Sequence, residues 1–222
     1  MLSLNSQYQT LYVYAEENKL RNYSTKRYLG KRVFDICISL LVIFCILVWL
    51  IPLIGLLIRL GSSGPVLFIQ KRTGYRGNPF NCLKFRTMTH NPKAAFKQAT
   101  KDDERVTAIG RFLRKTNLDE MPQFINVLIG DMSIVGPRPH AVQHSAMYWN
   151  TMPEYRKRYR VKPGITGLAQ INGYRGEIDH LMKMRHRVRY DRFYNRKKSI
   201  WFDLWICWMT LKAMVGDNEN AW

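Results

Sequence analysis

The chain has 222 residues, enough for one well-filled core or for one domain plus a membrane element. Its 35 Lys and Arg against 16 Asp and Glu leave a formal charge of +19, which points to nucleic acid, an anionic membrane surface or phosphorylated substrates. The four cysteines (Cys37, Cys45, Cys82, Cys207) form no CxxC and no zinc spacing, so a disulfide scaffold and a zinc module are excluded in favour of reduced thiols.

Residues 1–30 are polar and irregular. An apolar run follows, "VFDICISLLVIFCILVWLIPLIGLLIRL", from Val33 to Leu60. It is long enough to cross a hydrocarbon core of about 30 Å. It is too long, and too far from the start, for a cleaved signal peptide. Pro52 interrupts it, which removes a backbone donor and kinks a helix. Basic residues flank it on both sides: Lys26, Arg27, Lys31 and Arg32 before, then Arg59, Lys71, Arg72 and Arg76 after. Positive flanks stay in the cytoplasm, and one straight span cannot keep both there. The expectation is a re-entrant membrane helix over residues 31–62, bent at Pro52. A single kinked span is the alternative.

Residues 63–200 read as the globular part. "VLFIQKRTGYRGNPFNCLKFRTM" alternates apolar and polar residues around Gly74 and Gly77 and predicts a β-hairpin. Residues 91–104 read as a polar loop or short helix. "RVTAIGRFLRK" and "LDEMPQFINVLIG" read as helices broken near Thr116–Asn117, with Asn117 as N-cap of the second. That places Asp119 and Glu120 in a first helical turn, where the dipole favours negative charge. "DMSIVGPRPH" reads as a turn-rich loop, and "VKPGITGLAQING" as a loop and strand. "EIDHLMKMRHRVRYDRFYNRKKS" reads as a basic helix. In residues 201–222, Trp201, Trp205 and Trp208 share one helical face. Tryptophan favours the membrane–water interface, so an interfacial helix is expected, with plain core packing as the alternative.

Asp119 and Glu120 stand side by side in a cationic setting. Phosphoryl transfer needs cations for the phosphoryl oxygens, commonly a divalent metal on one or two carboxylates, and a nucleophile on a covalent route. One acid could attack while the other holds Mg²⁺. Arg114, Lys84 and Arg86 in "KFR", and Arg138 in "PRP" are the candidate cations. The residues alone leave a bland reading open, in which the acids are capping and the cations solvated.

Three long motifs change that balance. "SSGPVLFIQKRTGYRGNPFNCLKFRTM", "LRKTNLDEMPQFINVLIGDMSIVGPRP" and "KPGITGLAQINGYRGE" occur in this order. Together they closely resemble the bacterial sugar transferase family, the monotopic phosphoglycosyl transferases, from about Lys31 to the C-terminus. The resemblance implies transfer of a sugar 1-phosphate from a UDP-sugar to undecaprenyl phosphate at the cytoplasmic face of the inner membrane, with release of UMP. It implies Mg²⁺, Asp119 as nucleophile of a phosphosugar-enzyme intermediate and Glu120 as metal ligand. Arg114 would grip phosphate, with Lys84 and Arg86 near the active site, and Pro137, Arg138 and Pro139 would form a nucleotide-side loop. It also implies a re-entrant helix broken at a proline. Small relatives have Ser before that proline, where this chain has Ile51. The fold class expected is α+β: a small, mostly helical catalytic domain with a short β-hairpin, held by the re-entrant helix and interfacial amphipathic helices.

The stretch after "GITG" looks most like members that use glucose, with galactose 1-phosphate or an acetamidosugar as alternatives. The expected partners are the UDP-sugar, undecaprenyl phosphate and membrane lipid, with homo-oligomerisation open and no nucleic acid. A nucleic-acid groove made by "YRKRYRVK" and "RHRVRYDRFYNRKK" is the main rival, and a membrane-anchored scaffold the next. An apolar segment of this length disfavours the first, and the intact acid pair disfavours the second. A retaining glycosidase is discarded, because adjacent acids cannot flank a bond with carboxyl groups about 5 Å apart.

Overall fold

The computed structural model of the chain describes residues 29–91, 100, 103–176 and 180–215. The segment 1–28, most of the 91–104 stretch and the tail 216–222 lie outside them, with whatever the sequence leads one to expect there. The described residues are mainly helical with two small sheets, an α+β arrangement.

The apolar run forms one long helix, Leu29–Gly61. It consists of α1 (Leu29–Val42), a wider π turn (Ile43–Leu47) and α2 (Val48–Gly61). Pro52, the expected bend, lies inside α2. Helical geometry continues through Pro52, and the departure from it lies upstream, where the Val48 N–H bonds Ile43 O. An extra residue is taken up in that π turn.

This helix is inverted relative to a core helix. Its buried positions in α1 are Asp35 and Ser39, one turn apart, while Leu29, Val33, Leu41, Phe44 and Trp49 are exposed. Asp35 Oδ1 accepts from Ser133 Oγ and Ile134 N, both at 3.0 Å. Arg32 donates to the Val127 and Leu128 carbonyls at 2.6 and 2.7 Å, where a helix end leaves carbonyls orphaned. At the other end, Ile54 and Ile58 are buried with Phe85 and Leu113.

The hairpin pairs β1 (Leu67–Thr73) with β2 (Pro79–Phe85), antiparallel, with Gln70 opposite Cys82. The chain then passes through α3 (Ala108–Lys115) and a 3₁₀ turn (Leu118–Glu120) to α4 (Gln123–Ile129). β3 (Ser133–Val135) falls inside the segment read as a turn-rich loop. It pairs in parallel with β4 (Gly164–Thr166). Three residues are too few to show a period, which is why this strand was not visible in the sequence. Between them lie α5 (Val142–Thr151) and a 3₁₀ stretch (Pro153–Arg160). α6 (Leu168–Ile171), α7 (Leu181–Lys197) and α8 (Ile200–Val215) follow β4.

α8 is two-faced. Trp201, Trp205 and Trp208 are 80%, 45% and 63% exposed, so the stripe does not pack into the core. The opposite face buries Asp203 and Ile206. Asp203 accepts from Lys31 Nζ and Tyr194 Oη at 2.7 Å each, joining α1, α7 and α8.

α3 lies against the end of β2 because Gly110 has no side chain. A Cβ there would fall inside the Thr87 carbonyl, a backbone atom that cannot swing aside. Alanine favours a helix over glycine by about 0.5–1 kcal/mol, but overpacking costs about 1–3 kcal/mol, so the clash dominates. Gly110→Ala should therefore lower the thermal midpoint, and a melting curve of the purified protein would show it.

Candidate active site

The first turn at issue begins where α3 stops. Thr107 caps α3 by accepting from Gly110 N at 3.0 Å, and the helix ends at Lys115. Asn117 then takes a left-handed conformation, φ 59°, which asparagine tolerates better than most residues. It makes no side-chain cap to the following turn. The expected N-cap is thus corrected: Asn117 is a reversal point, and its Oδ1 accepts from Arg175 instead. The acids sit in the tight Leu118–Glu120 turn, and α4 starts only at Gln123.

Both acids are buried, and they are held very differently. Glu120 Oε1 accepts from Lys84 Nζ at 2.7 Å. The Arg138 guanidinium grips both Glu120 oxygens, with Nη1 at 2.8 Å from Oε2. This is a two-point charge-assisted pair, the strong kind. Asp119 keeps one long contact among the described residues, Lys84 Nζ at 3.5 Å from Oδ2. Burial raises a carboxylate's pKa, but Arg138 and Lys84 outweigh it and hold Glu120 well below the usual range. For Asp119 burial prevails over Lys84, the Glu120 charge adds to it, and the pKa is raised.

Neighbouring elements fix these side chains. Asn126 of α4 accepts from Leu83 N at 2.9 Å and donates to Asn81 O at 2.7 Å, which sets β2, and so Lys84, against the acidic turn. The 136–140 loop is held by its carbonyls. Pro137 O accepts from Gly164 N at 3.0 Å, Arg138 O from Arg158 Nη2 at 2.8 Å and Pro139 O from Arg72 Nη1 at 2.9 Å. Pro137 and Pro139 themselves bring no backbone donor. Arg158 is fully buried and paired with Asp191 at 2.9 Å.

Two further arginines face the pair. Arg114 donates to Thr87 Oγ1 at 3.0 Å, and Arg175 to Asn117 Oδ1. Asp119 acts on the charge of each, and Glu120 also acts on Arg175. Burial lowers the pKa of both guanidinium groups. Among the described residues each has only a neutral partner. Lys84, Arg114 and Arg138 are thus brought to the acids as the motifs led one to expect. Arg86 is not. It donates to the Ser62 carbonyl at 2.8 Å and to that of Ser63, so it closes the end of α2. Arg175 and Asn126 were not singled out in the sequence, although "INGYRGE" and "QFIN" carry them.

The donor set suits a hard cation. Two carboxylates and no thiolate or imidazole are what Mg²⁺ takes, together with phosphate oxygens and water. Asp119 has coordination sites to spare, whereas Glu120 has most of its lone pairs engaged by Lys84 and Arg138. No group of three or more His, Cys, Asp or Glu that could hold a metal occurs among the described residues. The described residues alone therefore do not make a closed metal cage.

A family model described as "Bacterial sugar transferase" matches residues 26–217. The chain belongs to the bacterial sugar transferase family. Relatives named "UDP-glucose:undecaprenyl-phosphate glucose-1-phosphate transferase" include one from Klebsiella pneumoniae, 51% identical over 86% of this chain and 41% of its own. One from Escherichia coli (strain K12) is 51% identical over 82% of this chain and 39% of its own. One from Caulobacter vibrioides is 44% identical over 87% of this chain and 72% of its own. The chain thus spans about two fifths of the length of the first two of these bacterial sugar transferases.

The unequal hold on the two acids has a consequence for stability. Glu120→Gln leaves Arg138 and Lys84 without their shared anion, and breaking a buried pair from one side costs about 3–5 kcal/mol. Asp119→Asn removes a charge that its site disfavours. Thermal melts should show Glu120→Gln well below the unaltered protein and Asp119→Asn at or above it. Equal midpoints for the two variants would contradict the geometry.

Proposed function

We propose that the chain transfers glucose 1-phosphate from UDP-glucose to undecaprenyl phosphate, releasing UMP, as the first membrane step of exopolysaccharide assembly. The observation that carries this is the pair of half-buried arginines, Arg114 and Arg175, with neutral partners only, beside a loosely held carboxylate. Cations that no carboxylate bonds directly keep donors for a further anion. The names of the relatives supply the anion's identity.

The roles divide as the geometry suggests. Asp119 carries the oxygens with fewest partners, so it is the acid free to attack. An Asp119 oxygen bonds to the sugar-linked phosphorus, the bond from that phosphorus to the bridging oxygen breaks, and UMP leaves with the electron pair. A phosphate oxygen of the lipid then attacks the same phosphorus and releases the Asp119 carboxylate. Arg114 and Arg175 hold phosphoryl oxygens. Lys84, bonded to Glu120 and close to Asp119, orients the nucleophile. Glu120 keeps Arg138 and Lys84 in place. Mg²⁺, when held by Asp119 and Glu120 with substrate oxygens, would offset the charge that gathers at the phosphates.

The long helix supports a monotopic placement at the cytoplasmic face of the inner membrane. Its two docked regions, around residues 31–35 and 54–58, lie about 20 residues apart, or roughly 30 Å of straight helix, which is the thickness of the hydrocarbon core. Both dock on the same domain. A span would oblige that domain to reach across the bilayer with its charges. A helix that bends within the apolar layer, at the π turn or at Pro52, and leaves by the face it entered has no such cost. The Trp face of α8 and the exposed apolar middle of the long helix would then meet lipid.

Incubation with Mg²⁺ and UDP-glucose, without lipid acceptor, should add the mass of one hexose phosphate to the intact protein and release one UMP. Asp119→Asn should give neither, while remaining in the membrane fraction. Transfer retained in Asp119→Asn would remove this residue from the nucleophile role. Membrane-impermeant labels added to intact cells should reach cysteines placed at neither terminus. Labelling of one terminus alone would replace the re-entrant helix with a span.

A further inference from the structure

A groove of about 210 Å³ lies beside the acid cluster, lined by Thr166, Gln170, Ile171, Gly173, Arg175, Thr210, Ala213 and Met214. It is formed by the end of β4, by α6 and the turn after it, and by the C-terminal part of α8. Arg175 closes the end nearest the acids, since it bonds Asn117 and its charge is felt by Glu120. The space is several times the ~30 Å³ share of one water. A Cβ on Gly173 would meet nothing within 4 Å, so that side is open.

The hydrogen-bonding character of the lining can be worked out proton by proton. Thr210 Oγ1 donates to Ile206 O at 2.8 Å, which uses its only hydrogen. In the 2.7 Å contact between Thr166 Oγ1 and Thr210 Oγ1, Thr166 is therefore the donor. Both hydroxyl oxygens are left with lone pairs only. Gln170 Nε2 donates to Ile165 O at 3.1 Å, which fixes the orientation of the amide. Gln170 Oε1 is buried with no partner. An orphaned acceptor of this kind costs about 1–3 kcal/mol unless something donates to it. The side chains of the groove thus offer acceptors along its body, one guanidinium donor at its end, and an apolar wall of Ile171, Ala213 and Met214.

A hydrocarbon chain has no protons to donate to such a lining, and an ionised phosphate has none either. A ring that carries several hydroxyls, has apolar C–H faces and bears a phosphate at one end matches all three features. We infer that this groove is the subsite for the sugar ring of the donor, with its hydroxyls donating to Gln170 and Thr166 and its phosphate beside Arg175. The inference rests on the transfer reaction proposed above. To meet a hydroxyl the Gln170 carboxamide turns outward and gives up its bond to Ile165 O, gaining a partner for Oε1 in exchange.

The test uses the full chain in lipid nanodiscs with UDP-glucose and undecaprenyl phosphate. Ala213→Trp fills the groove from an exposed position, and Gln170→Leu removes an acceptor. Each should raise KM for UDP-glucose at least tenfold. The inhibition constant of UMP and KM for undecaprenyl phosphate should stay within twofold. A matching rise in the UMP constant would place the ribose there instead and overturn the assignment. A rise confined to the lipid would overturn it in favour of the hydrocarbon, and no change in any constant would overturn it outright. Deoxy analogues of UDP-glucose, tested on the unaltered protein, decide the matter without a folding question. At least one should lose tenfold or more in kcat/KM, because a site built to bond a hydroxyl rejects its absence. Equal turnover of all of them would refute the subsite while leaving the transferase reading intact. No UMP release from any nucleotide sugar would overturn both.

Discussion

Glu120 accepts from Lys84 and from both arms of Arg138, and much of the domain exists to keep those three groups together. Lys84 comes from the hairpin, Glu120 from the turn after α3, and Arg138 from the loop after β3. A buried carboxylate stays ionised only if cations reach it, and the cations stay buried only if it does. The cluster therefore fixes the distance between three segments that share no regular sheet. Such ion clusters add little net stability over a well-packed apolar core, but they penalise any other arrangement of the same segments. The supporting bonds from Asn126, Arg158 and Arg72 act on backbone, so the charged side chains have few ways to turn aside.

The same logic of polar groups facing inward explains the long helix. In water its Leu, Phe and Trp surface would be buried and its Asp35 and Ser39 exposed. Here the reverse holds. Lys31, Arg32 and Asp35 tie its first turns to α8, α4 and β3, and Arg86 ties the carbonyls beyond its last turn. Arg86 thus holds the end of the long helix through two carbonyls. The hairpin that carries Lys84 at its end is also the hairpin against which α2 packs, through Phe85. The acid cluster and the long apolar helix thus meet on one strand, which places the acid pair at a fixed offset from the apolar surface.

What the sequence made legible follows from what leaves a local trace. The hairpin was visible because seven-residue strands alternate, and the basic helix and the Trp stripe were visible because their periods repeat over several turns. The short parallel pair β3–β4 leaves no such trace. Its strands are three residues each and nearly all buried, and Gly136 and Gly164 are there because their backbones touch. The acids were found because adjacent carboxylates are conspicuous in so basic a chain. Their unequal environments could not be read, since these depend on residues from 35 positions before and 18 after them. Asn117 misled for a related reason. Asparagine suits both an N-cap and a left-handed reversal, and only the partner Arg175, 58 residues on, decides between them.

The charge count then bears on what the cluster can hold. Four cations, Lys84, Arg114, Arg138 and Arg175, surround two carboxylates, leaving a net charge of about +2. A divalent cation on the two carboxylates would raise that to about +4. In the reaction proposed above, the pyrophosphate of a nucleotide sugar, with about two negative charges, would then arrive without an electrostatic penalty, and the cluster would still be positive when the phosphate of the lipid followed. A phosphosugar on Asp119 would be a single anion in place of the carboxylate, so the count would be the same once UMP had left. Charge alone therefore sets no order for the two substrates. What favours transfer by way of Asp119 is its single long contact among the described residues, to Lys84, which it can give up without stranding Arg138.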